Sequence, residues 1–144
     1  LNDGLGDIFG FSGGRPGPPR LQSTNSSGVA IAVLQSKFAD LSSSDLLRRG
    51  RTMAHEVGHY MGLFHSTESS GAAFDPIPDT PQCGAVVDFP LRGNFNHSVD
   101  PEECGVAGGA RNLMFWTQGP DSLGARDQIS PNQAFVLVRN PLVR

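Results

Sequence analysis

The chain has 144 residues, a formal net charge of −3, 38% hydrophobic content, 18 glycines and 11 prolines. That is one domain's worth of sequence with one core to bury, and so much Gly and Pro argues against a bundle of long helices. The acidic balance and the lack of a Lys/Arg cluster argue against nucleic acid as a partner. No run of about eighteen apolar residues is present to span a membrane as a helix.

The elements follow in chain order. The start, "LNDGLGDIFG", lacks a basic stretch followed by an apolar one and so does not read as a signal peptide. A cytosolic chain or a trimmed form would fit, and the missing initiator Met favours trimming. "SGGRPGPPR" (12–20) is expected to be loop or extended segment, because its prolines lack donors and fix φ. "GVAIAVLQ" (28–35) is a compact apolar run rich in β-branched residues and reads as a strand. "DLSSSDLLRRG" (40–50) offers capping serines and a brief helical turn. From Arg51 to about Leu63 a helix is expected, with Met53, Ala54, Val57, Tyr60 and Met61 as its apolar positions. Gly62 stands where a left-handed residue would end it. Residues 66 to 112 show no periodicity and read as a long loop, which in a compact domain is often functional. "RNLMFW" (111–116) is a short apolar run. "SPNQAFVLVRNPLV" (130–143) reads as a C-terminal helix, with Ser130 as N-cap, Pro131 in the first turn, Gln133 completing a capping box, and Pro141 at the end.

The chemistry concentrates in "HEVGHYMGLFH" (55–65), which holds three of the chain's four histidines. His55 and His59 are one helical turn apart on one face, so their imidazoles can share a metal ion. Glu56, beside His55, can lean toward the ion's open side and deprotonate a water acidified there. His65 is too far along to ligate if the helix simply continues. Gly62 can take φ > 0, bend the chain and bring His65 to the same ion. Three neutral nitrogens with one open position is the ligand count of a catalytic zinc site rather than a closed structural one. Two histidines on a helix face also occur as ordinary surface or core residues; it is the five positions together that carry the reading.

H-E-x-x-H-x-x-G-x-x-H resembles the zinc signature of the metzincin metallopeptidases. That resemblance implies a Met-turn downstream, for which "NLMFW" supplies Met114. Within the clan the chain is most like the pappalysin family. "GRTMAHEVGHYMGLFH" (50–65) is similar to its extended helix, "DPIPDTP" (75–81) to its D-x-x-x-D-T-P segment, and "NLM" (112–114) to its N-x-M turn. The resemblance covers roughly residues 28 to 140; a relative of the matrix metalloproteinases is the alternative within the clan.

The resemblance implies an α+β, metzincin-like zincin. It would have a small mixed sheet with an active-site helix, and a loop-rich C-terminal half with a Met-turn and a C-terminal helix. One catalytic domain, 1–144, would divide into an N-terminal subdomain of about 1–62 and a C-terminal one of about 63–144. The upstream part is short for the family, so a start inside the domain is one expectation. The implied activity is a zinc-dependent endopeptidase in which Glu56 activates the water, acting on protein or peptide substrates as a monomer. The alternative is a non-catalytic, zinc-stabilised binding module on a peptidase scaffold. The family often binds calcium near the acidic segment, which makes Asp75 and Asp79 candidate ligands; as plain loop residues they would cap turns beside Pro76 and Pro81. By the resemblance, Asp121 and Asp127 would lie where the family's S1′ pocket wall forms and favour Arg or Lys after the scissile bond; as plain loop residues they would be solvated acids. Many metzincins carry a tyrosine two residues after the Met-turn methionine; here Trp116 stands there, and the tyrosine's role is not carried over.

Cys83 and Cys104 are one disulfide or two free thiols. The bridge is the preferred reading. It would close a loop of about twenty-two residues, stabilise by roughly 3 kcal/mol in the loop-entropy model, and place the protein in an oxidising, secreted or extracytoplasmic compartment. His97 reads as a surface loop residue. Asn25 and Asn96 begin formal glycosylation sequons.

Overall fold

A computed structural model describes residues 10–13, 28–31, 42–84, 98–119, 123–140 and 143. The chain divides into two compact units, Leu1–Gly62 with Asn140–Arg144, and Leu63–Arg139.

In the first unit, strand β1 (Gly10–Gly13) pairs antiparallel with strand β2 (Gly28–Ile31), with Gly10 opposite Ile31 and Gly13 opposite Gly28. The first residues of "SGGRPGPPR", Ser12 and Gly13, therefore belong to a strand; residues 14–20 lie outside the described residues. Helix α1 (Ser43–Tyr60) lies against both strands.

Helix α1 is one continuous element, where the sequence suggests a brief turn over 40–50 and a separate helix from Arg51. Its start explains this. Ser42 Oγ accepts the Asp45 N–H at 3.1 Å, and Asp45 Oδ2 accepts the Ser42 N–H at 3.2 Å. This reciprocal box satisfies two orphan donors and fixes the first turn. Gly50 then lies in mid-helix at a cost of about 0.5–1 kcal/mol relative to Ala, too little to interrupt a capped helix.

The buried face of α1 also differs from expectation. Thr52, His55 and Gly58 are buried, whereas Met53 and Val57 are each 36% exposed. Thr52 tolerates burial because its hydroxyl donates to the Arg48 carbonyl at 3.2 Å. His55 stacks edge-to-face with His59, with ring centroids 4.5 Å apart. The buried positions of the helix are thus Thr52, His55 and Gly58 rather than its apolar residues.

The helix stops where the sequence implies. Gly62 adopts φ +99°, and its N–H donates to the His59 carbonyl at 2.9 Å. A Cβ at Gly62 would meet nothing within 4 Å, so the demand for glycine is torsional rather than steric. Asn140 Nδ2 donates to the Met61 carbonyl at 2.8 Å, satisfying one of the acceptors that a helix end leaves open.

In the second unit, the described residues are largely tied loops. Thr67 bridges Phe74 in antiparallel and Phe115 in parallel fashion, and Asn112 bridges Gln128 in parallel. Helix α2 (Pro101–Cys104) is a single turn carrying Cys104, which is disulfide-bonded to Cys83. Cys83, Val99 and Phe115 form the buried cluster, with Cys104 and Trp116 packed against it. The disulfide is part of this cluster and ties α2 to the segment carrying Cys83.

Helix α3 (Pro131–Arg139) begins as its sequence predicts and ends short of Pro141. Ser130 Oγ accepts the Gln133 N–H at 3.1 Å, and Gln133 Oε1 accepts the Ser130 N–H at 2.9 Å. Gln133 is completely buried, a consequence of a second task described below. No helix among the described residues is long and apolar enough to cross a membrane.

Candidate metal centre

Helix α1 carries His55 and His59 on one face, as four-residue spacing requires. His55 is 5% exposed, and its Nε2 lies 3.1 Å from Nε2 of His59. That is hydrogen-bond distance between the two rings, and it is also compatible with two ligands on one tetrahedral ion, whose nitrogens at about 2.0–2.1 Å would be separated by roughly 3.3 Å. His65 follows three residues after Gly62, and the three side chains offer ligand atoms that all lie within 4.8 Å of one another. The site therefore fits a metal on its donor set: three imidazoles, in a stretch of eleven residues, brought together by one helical turn and one positive-φ glycine.

Glu56 adjoins His55 on α1 and is half-buried. Its carboxylate thus stands one residue from a metal-ligating candidate on a rigid element.

The chain after His65 is held to the segment carrying Met114. The Ser66 N–H donates to the Met114 carbonyl at 2.9 Å, and Thr67 pairs with Phe115. Met114 and Phe115 are completely buried. The turn itself is set by Asn112, whose Oδ1 accepts the Met114 N–H at 2.8 Å. A side-chain carbonyl bonding the backbone two residues on is the Asx turn. On the other side, the Leu113 N–H donates to the Gln128 carbonyl at 2.6 Å.

Asn112 is in turn gripped by Gln133. Asn112 Nδ2 donates to Gln133 Oε1 at 2.9 Å, and Gln133 Nε2 donates to Asn112 Oδ1 at 3.2 Å. This paired amide ties the 112–114 turn to the first turn of α3. The sequence shows Gln133 only as a cap residue, because nothing in the spacing reveals that its side chain spans 21 residues to Asn112.

The two acids of "DPIPDTP" have separate tasks. Asp79 is committed to α3: its Oδ1 accepts the Ser130 hydroxyl at 2.7 Å and its Oδ2 the Asn132 N–H at 3.0 Å. The Ser130 hydrogen bond, aided by the Asn132 N–H, holds the Asp79 carboxyl below its ordinary pKa of 3.8, against a smaller opposing effect of desolvation. Asp75 is 4% exposed. Its Oδ1 accepts from the Thr80 hydroxyl and from the Ile77 N–H, while Oδ2 is buried with no hydrogen-bond partner among the described residues.

The remaining candidates are less engaged. Asp127 is exposed and lies 3.9 Å from an Arg111 guanidinium nitrogen. Asp121, His97, Asn25 and Asn96 fall outside the described residues. Trp116 donates its indole N–H to the Val99 carbonyl at 2.6 Å. That donor is spent within the fold.

No protein-family model matches the chain, and no curated protein or solved structure matches it significantly.

Proposed function

We propose that the chain is a zinc-dependent endopeptidase of metzincin type, most like the pappalysins, and that it cleaves protein or peptide substrates as a secreted monomer. The observation that carries the proposal is the cluster of His55, His59 and His65 with ligand atoms within 4.8 Å, with Glu56 beside the first. A structural metal site has no use for that glutamate, and a catalytic one needs it.

When bound, zinc would supply Lewis acidity, lowering the pKa of water and polarising the scissile carbonyl. His55, His59 and His65 would hold it. Glu56 orients the attacking water, accepts its proton and delivers that proton to the leaving amine nitrogen. The helix keeps Glu56 and the first two histidines in fixed relation, so no reorganisation is needed at the moment of reaction. Met114 serves as the Met-turn residue, held by Asn112 and bonded through its carbonyl to the residue after His65.

Calcium is a second component of this reading. Asp75 Oδ2, buried and without a hydrogen-bond partner among the described residues, is its candidate ligand atom. Asp79 would contribute only by giving up its bonds to α3. For the S1′ wall, Asp121 and Asp127 are the candidate acids, Asp127 with its charge partly offset by Arg111. The Cys83–Cys104 disulfide supports an oxidising compartment.

Chelation tests the proposal. A peptidase loses cleavage of denatured protein on treatment with a zinc chelator and regains it with added zinc. A binding module on the same scaffold changes only its melting temperature, and that result would overturn the assignment.

A further inference from the structure

His65 reaches its place by a route different from that of His55 and His59. The first two ride on a helix that fixes their rings. His65 lies beyond the helix end, on a segment without regular structure, and its ring needs some other constraint. Glu68 supplies a constraint: His65 Nδ1 lies 2.9 Å from Glu68 Oε2.

The backbone that presents Glu68 is well tied. The Glu68 N–H donates to the Ala73 carbonyl at 3.0 Å, and the Glu68 carbonyl accepts the Gly71 N–H at 2.9 Å. Thr67 on one side is bridged to Phe74 and Phe115, and the Ser69 carbonyl on the other accepts the Val99 N–H at 2.7 Å. Glu68 is thus anchored from both directions while its side chain reaches back three residues. Its side chain is 47% exposed, and a half-exposed ion pair three residues apart adds little to folding. Stability is a poor account of the contact.

The chemistry of the contact is specific. An ionised carboxylate accepts hydrogen bonds and cannot donate them, whereas a neutral imidazole has one N–H and one lone pair. Facing Glu68 through Nδ1 places the hydrogen there and leaves the lone pair on Nε2. A metal-ligating histidine commonly has its second nitrogen held in this way, which fixes tautomer and ring and raises ligand basicity.

We propose that Glu68 is the positioning residue of the metal centre: its carboxylate fixes the His65 tautomer and ring so that Nε2 is presented to the ion shared with His55 and His59. The inference rests on the metal-centre reading above and adds a residue that the zinc motif does not contain. Glu68 touches neither substrate nor metal in this role; it acts through His65.

The test is zinc affinity, measured by competition with a chromogenic chelator on the full chain, together with the visible spectrum of the cobalt-substituted protein. Glu68→Ala should weaken zinc binding by about 10- to 100-fold and alter the cobalt spectrum, with the melting temperature of the metal-free protein unchanged. Glu68→Gln, which keeps an acceptor without the charge, should show the smaller loss. His65→Ala should lose more than either. If the parent binds one zinc, His65→Ala weakens it, and Glu68→Ala binds within about twofold of the parent, the positioning role is refuted and the metal centre stands. If Glu68→Ala lowers metal-free stability in step with affinity, the residue is merely structural. If the parent binds no zinc, or His65→Ala binds as the parent does, the metal-centre reading fails, and this proposal with it.

Discussion

Replacing Gln133 by alanine tests how the turn at Met114 is held. Gln133 is fully buried and makes three side-chain hydrogen bonds: it accepts from Asn112 Nδ2 and the Ser130 N–H and donates to Asn112 Oδ1. Asn112 Oδ1 would keep the Met114 N–H. Asn112 Nδ2 and the Ser130 N–H would lose their partner in a buried setting. At about 1 kcal/mol for each lost bond, with more where a buried donor is stranded, the substitution should cost roughly 3–4 kcal/mol. In a chain of this length, that lowers the melting temperature by about 10 °C. Thermal unfolding followed by circular dichroism, on protein with its disulfide intact, gives the number. Gln133→Glu keeps both acceptor roles, loses the donor to Asn112 Oδ1, and should fall between the parent and the alanine variant. A loss for Gln133→Ala below about 1 kcal/mol, the value of a single ordinary hydrogen bond, would refute the idea that this amide pair clamps the turn.

Other outcomes follow from single contacts. Gly62→Ala should destabilise by about 1–2 kcal/mol, since its φ of +99° disfavours a Cβ although the space around it is open; denaturant unfolding would show it, and an unchanged midpoint would contradict the torsional argument. Asp79 links folding to pH. Its folded pKa lies below the ordinary value of 3.8, so the ionised carboxylate stabilises the fold above that value. The stability advantage of the parent over Asp79→Asn should be full at neutral pH and fade as pH falls through the folded pKa; melting curves of both proteins from neutral to acid pH measure it, and a constant difference would contradict the assignment.

How much of this was legible beforehand depended on where each signal lay. Elements whose determinants are local are readable: Ser130 with Pro131 and Gln133 marks the start of α3, and His55, His59, Gly62 and His65 mark helix, bend and a group of three histidines that could hold a metal ion. The capping serines of 40–50 suggest only a brief turn, because no apolar periodicity joins them to the segment from Arg51; the Ser42–Asp45 box makes one helix, α1, of both. Apolar periodicity does not give its buried face, because Thr52 and His55 are buried while hydrogen-bonding and stacking. Asp79 to Ser130 spans 51 residues and Gln133 to Asn112 spans 21, and no spacing rule within one chain reveals such pairs. The Glu68 carboxylate is near His65 in sequence, but only its reach back to Nδ1 gives it meaning.

Glu56 carries the central claim. Zinc content and casein cleavage should be measured side by side for the parent and Glu56→Ala. The expected result is one zinc per chain in both proteins, with cleavage by the variant reduced by at least roughly 10²–10⁴-fold, as removing a general base requires. Cleavage by Glu56→Ala at the parent's rate, with zinc retained, would contradict the account.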